Sequence, residues 1–412
     1  MVKKKISDSK IQSYTLKNAV AHGGKAAQGA VISSLFAEGL EKSEIKNYAK
    51  KISEIIKEVN SFSVEEQKVL LEKHKGEISE REVREGLEEL PKVPKSGVVM
   101  RFAPSPSGAL HVGHALTASL NIAYVNKYGG KFICRIEDTN PENIFPEAYK
   151  LIKKDIEWLA KKNVEVVIQS DRMEIYYGYA KKLIEKGSAY VCTCSGDKFR
   201  EYSKLKENCP CRNNDKKENL MRWEMMLGKA ETDYKEGDAV LRFKTPDSEE
   251  GMENPNPAMR DFPLVRINET EHPRQKNKFK VWPLMNLSVT ADDIEMGMTH
   301  IIRAKEHRDN ARRQEMIFKT LGKKYPWTAF LGRWHIKGMR LSASQITKDV
   351  LAGKYSGWDD PKLPTLQSLK KKKYKPETFW KVAEKRGISE VDKVIEEKDF
   401  FEMLDAENKK NL

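Results

Sequence analysis

Residues 98–114 read Val98-Val99-Met100-Arg101-Phe102-Ala103-Pro104-Ser105-Pro106-Ser107-Gly108-Ala109-Leu110-His111-Val112-Gly113-His114, and their pattern decides the fold. Val98 to Ala103 is a short apolar run of the kind that forms a buried strand. Pro104, Pro106 and Gly108 interrupt it. Ala115 to Tyr128 then places Leu116, Leu120 and Ala123 on one helical face, and Gly129-Gly130 ends that helix. Lys131 to Ile136 is a second apolar strand. Strand, helix and strand within about 40 residues make a βαβ unit, which implies a parallel sheet with a right-handed crossover. Ligands of such sheets bind beyond the carboxyl ends of the strands, so the chemistry is expected just after Phe102 and just after Ile136.

His111 and His114 flank Gly113 at the mouth of the expected helix. A helix N-terminus offers free N–H groups and a partial positive charge, which suits phosphate oxygens. Imidazoles there can donate hydrogen bonds to a triphosphate as charge shifts during displacement at the α-phosphorus. Gly113 carries no side chain, so a nucleoside could lie against the backbone. The plainer alternative is a pair of polar histidines at a surface turn.

Around this segment the chain has 412 residues, room for two to four domains at roughly 100–200 residues each. Its 75 Lys+Arg outnumber 61 Asp+Glu, for a formal charge of +14, which favours a polyanionic partner. No apolar run approaches the roughly 18–20 residues of a membrane span, so an integral membrane protein is excluded. The basic start Met1-Val2-Lys3-Lys4-Lys5 is not followed by an apolar stretch, as a secretory signal would require. Five clustered cysteines do not make a disulfide scaffold, and a reducing, cytoplasmic location is expected. Ile45, Tyr48, Ile52, Ile55 and Val59 recur at helical spacing, Ser63 with Glu66 forms a capping box, and Pro91 to Gly97 reads as a linker.

Cys192-Thr193-Cys194 is followed after fourteen residues by Cys209-Pro210-Cys211. Four thiolates in two pairs can close a tetrahedral, structural zinc site, although one residue between the members of a pair is tighter than usual. Free thiols or a partial site are the alternative. Cys134, inside an apolar strand, reads as a core residue.

The string His111-Val112-Gly113-His114 resembles the HIGH motif of class I aminoacyl-tRNA synthetases. Arg101 to Gly108, Arg135-Ile136-Glu137-Asp138-Thr139, Arg260-Asp261-Phe262, Asp292-Asp293 and Thr299 to Arg303 resemble the glutamyl branch, and Tyr355 to Pro361 its archaeal type. The resemblance implies an α/β Rossmann-type parallel-sheet catalytic core with an inserted acceptor-binding domain, an N-terminal helical domain and a C-terminal helical stem-contact region. The expected boundaries are 1–96 for the helical extension, 97–189 and 276–335 for the two halves of the core, 190–275 for the insertion, and 336–412 for the signature loop and stem-contact region. The implied partners are glutamate, ATP with Mg²⁺, and tRNA(Glu).

The same resemblance assigns catalysis to His111, His114, Arg340 and Ser342, and ATP contacts to Pro104, Gly113, Glu306 and Leu341. Arg101 and Arg303 suit the two carboxylates of glutamate, since guanidinium binds carboxylate in a two-pronged fashion; which holds which stays open. Glu137 would take the ammonium, with Ser105 and the Ala103 backbone adding hydrogen bonds. Zinc on Cys192, Cys194, Cys209 and Cys211 would brace the insertion. Arg200, Lys204, Lys206, Arg212, Lys216, Lys217 and the run Lys370 to Lys373 could meet the RNA backbone.

Two departures stand out. Met285 and Val289 occupy positions where bacterial relatives carry polar pocket residues, so selectivity must lean on the arginines or on other residues. In the KMSKS-like loop Leu341-Ser342-Ala343-Ser344-Gln345, glutamine replaces the expected lysine, and Arg340, Lys337 and Lys348 are the nearest substitutes. The anticodon-reading β-barrels of full-length relatives have no counterpart, which leaves truncation, a separate anticodon-binding chain, or a paralogue with another acceptor. The competing functions are charging of tRNA(Gln) as well, a small-metabolite nucleotidyltransferase, and a non-catalytic tRNA-binding subunit of a split synthetase.

Overall fold

The computed structural model describes residues 6–78 and 86–410, so the basic start Met1–Lys5 lies outside the described residues. The chain divides into two compact units, Met1–Arg84 and Glu85–Leu412. The first holds helices α1 (Asp8–Ala21), α2 (Gln28–Ala37), α3 (Ile45–Val59) and α4 (Val64–His74). Its core gathers Ile11, Leu16, Val31 and Leu35 around Ile52, Ile55 and Val59, the apolar stripe of α3. The capping box forms as expected: Ser63 N donates to Glu66 Oε2 at 2.8 Å and Glu66 N to Ser63 Oγ at 3.3 Å.

The second unit begins with the expected βαβ element: β1 (Val98–Phe102), α5 (Val112–Tyr128) and β2 (Gly130–Ile136), with β1 and β2 parallel in the register Val98 to Gly130. Helix α6 (Ala148–Leu159) leads to β3 (Glu165–Ile168), which pairs in parallel on β2. The other edge of β1 meets β8 (His300–Ala304), which pairs in parallel with β9 (Trp327–Leu331). Thr299 makes that join, accepting the Val99 amide on its hydroxyl at 2.9 Å and donating its own amide to Val99 O at 3.1 Å. The chain thus winds one way from β1 and later returns to the opposite side, which makes the ends of β1 and β8 a topological switch point. Gly129 and Gly130 both have positive φ, and a Cβ on Gly130 would collide with Val98 O, so this corner needs glycine.

Between the halves of the parallel sheet, α7 (Met173–Glu185) leads into an antiparallel sheet of β4 (Ala189–Cys192), β5 (Val240–Phe243), β6 (Pro263–Ile267) and β7 (Val281–Pro283). Helices α8 (Gly196–Leu205) and α9 (Lys216–Leu227) lie between β4 and β5. Helix α10 (Met285–Glu295) returns the chain to β8, and α11 (Arg308–Thr320) follows. Beyond β9 come β10 (Trp334–Lys337), α12 (Ala343–Leu351), α13 (Leu366–Lys371), α14 (Pro376–Arg386), β11 (Lys393–Glu396) and α15 (Glu397–Lys409), with β10 and β11 parallel. Phe379 and Val382 of α14 and Phe400 and Leu404 of α15 belong to the same core as β1, β2 and α5. Leu90 is buried in that core and Pro91 O meets His300 Nε2 at 2.9 Å, which anchors the start of the proline-rich segment, while Lys92, Lys95 and Ser96 are exposed. Among the described residues no helix is long and apolar enough to cross a membrane.

Candidate active site

Helix α5 starts three residues earlier than its apolar pattern indicates, because His111 is its N-cap. His111 Nδ1 accepts the His114 amide and His114 Nδ1 accepts the His111 amide, both at 3.4 Å. The two rings stack with centroids 3.8 Å apart and an interplanar angle of 16°. Burial lowers both imidazoles, His111 well below its ordinary value with the charge of His114 adding to it, and His114 to about 4. Both are neutral at pH 7. With each Nδ1 used as an acceptor, the proton sits on Nε2, and each ring keeps one N–H donor to offer. A Cβ on Gly113 would stand 3.1 Å from the His111 ring and 3.6 Å from Leu341, so the glycine leaves room for the capping imidazole.

The strand ends carry a dense ionic hub. Arg101 on β1 donates through Nε and Nη2 to the two oxygens of Asp293, at 2.9 and 3.3 Å. Arg135 on β2 donates to Asp293 Oδ1 at 2.7 Å and to Glu137 Oε1 at 3.0 Å, and lies 3.6 Å from Asp292. Asp292 also accepts from Arg172 Nε at 2.7 Å, Tyr176 OH at 2.8 Å and Gln169 Nε2 at 2.9 Å. Burial alone would raise Asp293; Arg101 and Arg135 outweigh it and hold the carboxyl below its ordinary value. Three guanidiniums thus meet three carboxylates, Glu137, Asp292 and Asp293. The sequence marked Asp292 and Asp293 without a role; only the fold shows that they hold Arg101 and Arg135 in place.

Arg303, at the end of β8, is the exception. It is 8% exposed, its Nη1 donates to Gln314 Oε1 at 2.7 Å, and its Nε has no partner. No carboxylate lies within ion-pair distance of it among the described residues, and burial with the nearby charge of Arg101 pulls its pKa down. A buried cation without a counter-ion is costly to keep unless a ligand supplies the anion. Glu137 spends Oε1 on Arg135 and its side chain is 14% exposed. Pro104 O accepts the Glu137 amide at 2.9 Å, which ties the loop after β1 to the end of β2. Ala103 beside it is half-buried, and Ser105 is exposed with only its carbonyl bonded, to Ser107 N at 2.9 Å.

The KMSKS-like segment packs on the same loop. Thr347 Oγ1 of α12 donates to Ser107 O at 2.8 Å, and a Cβ on Gly108 would collide with that hydroxyl. Ser342 caps α12 without a side-chain bond to the helix backbone, its hydroxyl bonding instead to that of Ser344 at 3.4 Å. Asp349 gathers the loop's polar groups: Lys354 Nζ at 2.7 Å, Gln345 Nε2 at 3.2 Å and Arg340 Nη1 at 3.5 Å. Lys337 is paired with Glu396 and Lys348 is exposed. Glu306 lies apart from the hub, bonded at 3.0 Å to Arg333. Of the pocket positions flagged as departures, Val289 is buried while Met285 is 37% exposed. Trp282 is fully buried and stacked on His272 at 4.9 Å.

Some distance along the chain, the four cysteines converge. Their sulfurs all lie within 4.8 Å of one another, and Cys192–Cys209 and Cys194–Cys211 are each 3.9 Å apart. Sulfurs on a tetrahedron with arms of about 2.3 Å stand about 3.8 Å apart, which the two 3.9 Å pairs match, so the cluster is one that could hold zinc. Among the described residues it is the one such group. Arg212, expected at the RNA surface, is 7% exposed and donates to Asp261 Oδ2 at 2.9 Å and Thr245 O at 2.7 Å, so it braces the insertion instead. In the lysine run, Lys371 pairs with Asp359 at 2.9 Å, while Lys370 and Lys372 lie over Trp158 and Phe401.

Residues 97–410 match the family described as tRNA synthetases class I (E and Q), catalytic domain. The chain is similar to the glutamate–tRNA ligase of Methanothermobacter thermautotrophicus, 43% identical over 397 residues that make 95% of this chain and 69% of that protein. It is likewise similar to the glutamate–tRNA ligase of Pyrococcus abyssi, 43% identical over 391 residues, 93% of this chain and 67% of that protein. The fold is shared with a crystal structure of a glutamate tRNA ligase from Elizabethkingia meningosepticum in complex with its amino acid, at a TM-score of 0.52 and 19% identity, covering 76% of this chain and 69% of that one. With a stacked, buried histidine pair at the start of α5 and a buried arginine without a counter-ion at the switch point of a parallel sheet, and with the family model matched over residues 97–410, the chain belongs to the class I synthetases of the glutamyl and glutaminyl branch.

Proposed function

We propose that this chain is a glutamate–tRNA ligase that activates glutamate with ATP and transfers it to the terminal ribose of tRNA(Glu). The observation that carries the reading is the charge count of the pocket. Arg101, Arg135 and Arg172 are matched by Glu137, Asp292 and Asp293, which leaves Arg303 as the one buried cation of the set without a carboxylate. Glutamate brings two carboxylates and one ammonium, a net charge of −1 that closes the count. Glutamine is neutral overall and would leave Arg303 uncompensated, so the same arrangement favours glutamate. Glu137 Oε2, free of Arg135, takes the ammonium, and Ser105 with Ala103 lines the entrance.

In the first step an α-carboxylate oxygen of glutamate attacks the α-phosphorus of ATP. A P–O bond to glutamate forms, the bond to the bridging oxygen breaks, and pyrophosphate leaves. His111 and His114 stay neutral and offer Nε2–H groups to phosphate oxygens as charge builds there, with Pro104, Gly113 and Leu341 shaping the nucleotide's surroundings. Arg340 and Ser342 meet the departing pyrophosphate, and Glu306, paired with Arg333 at 3.0 Å, contributes to the nucleotide's binding. Magnesium, which enzymes of this family use with ATP, would supply shielding of the triphosphate's charge when bound. In the second step the ribose hydroxyl attacks the adenylate carbonyl and AMP leaves. Holding the reactants in place supplies much of such catalysis, so a covalent enzyme intermediate has no role.

Cys192, Cys194, Cys209 and Cys211 would hold a structural zinc, which would brace the insertion. The deciding experiment charges tRNA(Glu) and tRNA(Gln) transcripts with labelled glutamate, with and without ATP. Charging of tRNA(Glu) that requires ATP is expected; failure with both transcripts, in the presence of ATP and magnesium, would sink the proposal. On the same preparation, metal analysis should return about one zinc per chain, lost in Cys209→Ser.

A further inference from the structure

Leu110 precedes the first signature histidine, and its amide donates to Asp155 Oδ2 of α6 at 3.2 Å. The Asp155 carboxylate is 3% exposed and Leu110 is 1% exposed. On the other side of the same short segment, Val112 N donates to Pro364 O and Leu366 N to Leu110 O, each at 2.9 Å, and His111 forms a bridge with Thr365. The backbone that carries His111 is therefore held by a strap of chain on one side and by a single carboxylate on the other. A buried amide must find an acceptor, and here the fold supplies a charged one from another helix.

We propose that Asp155 is a positioning residue for amino-acid activation: its ionised carboxylate holds the Leu110 amide and thereby sets the His111 imidazole toward the nucleotide phosphates. The inference rests on the reading that His111 meets ATP. The carboxylate borders a cavity of about 460 Å³ lined by Lys154 and Trp158 of its own helix, by Gln367, Lys370 and Lys371 of α13, and by Asp359. Lys371 is committed to Asp359 at 2.9 Å, which leaves Lys154 and Lys370 as the cations that face Asp155. Burial raises the carboxyl to about 7 against the opposing pull of the Leu110 amide, Lys154 and Lys370. Below that pH the group gains a proton and its bond to the amide weakens to that of a neutral acceptor. His111, His114 and His307 are all lowered by burial, so they do not account for a limb near pH 7.

The test compares the unaltered 412-residue chain with Asp155→Asn, which keeps an acceptor but cannot titrate, and Asp155→Ala, which keeps neither. Amide hydrogen exchange of the peptide spanning residues 106–116, read by mass spectrometry at pH 6 and pH 8, reports the contact without any catalysis. Glutamate-dependent pyrophosphate exchange with tRNA(Glu) present reports the chemistry. Expected are loss of Leu110 protection in Asp155→Ala, by about tenfold or more, and in Asp155→Asn an intermediate protection, unchanged between pH 6 and pH 8 once intrinsic exchange is corrected for and equal to that of the unaltered chain at pH 6. The exchange kcat of Asp155→Ala should fall about tenfold or more with the glutamate KM within about twofold, and the wild-type limb near pH 7 should flatten in Asp155→Asn. Equal protection in wild type and Asp155→Ala, or a limb that persists in Asp155→Asn, overturns the inference. A wild type without exchange activity would count against the ligase reading, while the amide-exchange arm would still decide the Asp155 contact.

Discussion

Arg303 and Arg101 are two buried arginines of the same site with opposite circumstances. Arg101 is forked onto Asp293, which Arg135 shares, so removing it strips a buried carboxylate of half its compensation. Arg303 has only a glutamine side chain, and its Nε is unpartnered. The two substitutions should therefore separate binding from folding. Arg303→Gln removes an uncompensated buried charge, so its melting temperature should equal or exceed that of the wild type, while the glutamate KM rises about 10- to 100-fold, the worth of a charge-assisted hydrogen bond. Arg101→Gln should lower both the melting temperature and the activity. Steady-state charging over a glutamate series, with thermal unfolding of the same samples, checks this; a destabilised Arg303→Gln with unchanged KM would contradict the charge count.

Helix α12 shows how an element can carry a lost signature residue. Gln345 cannot present an ammonium to pyrophosphate, and its amide is turned to Asp349 one turn later, at 3.2 Å. Asp349 holds Lys354 at 2.7 Å and Arg340 more loosely at 3.5 Å, so Lys354 would keep the carboxylate satisfied if Arg340 turned to the leaving group as proposed. On that basis Arg340→Gln should cost about 100-fold in pyrophosphate exchange, whereas Gln345→Lys should change it less than about threefold. A large gain in Gln345→Lys would mean that the loop is disabled as it stands. Much of this scale was legible beforehand: the βαβ unit, the stripe of α3, the cap at Ser63 and the two cysteine pairs are local patterns. The start of α5 was not, because His111-Val112-Gly113-His114 has no apolar period and the helix is begun by a histidine cap. Nor was the role of Asp293, because its partners Arg101 and Arg135 lie 192 and 158 residues away along the chain.

At the scale of the whole molecule, the expected C-terminal helical region and the catalytic sheet are not separable layers. Phe379, Val382, Phe400 and Leu404 share one core with Val98, Met100, Leu116 and Leu120, and Trp380 Nε1 reaches across to Leu159 O at 3.0 Å. No local signal could have revealed this, since an amphipathic helix shows which face is buried but not what covers it. The consequence reaches the candidate site, because α5 packs on both α14 and β1, and His111 is the cap of α5. Phe379 is fully buried with Trp158 and Tyr374 against its ring, so Phe379→Ala opens a large cavity and should destabilise the fold by about 3–5 kcal/mol. Because the core is shared, unfolding of the Glu85–Leu412 unit should remain a single transition that moves to lower denaturant as a whole, with an unchanged slope. Hydrogen exchange of α5 should accelerate in step with that of α14. A C-terminal region that folded on its own would instead give a second transition, with α5 keeping its full protection while α14 lost it.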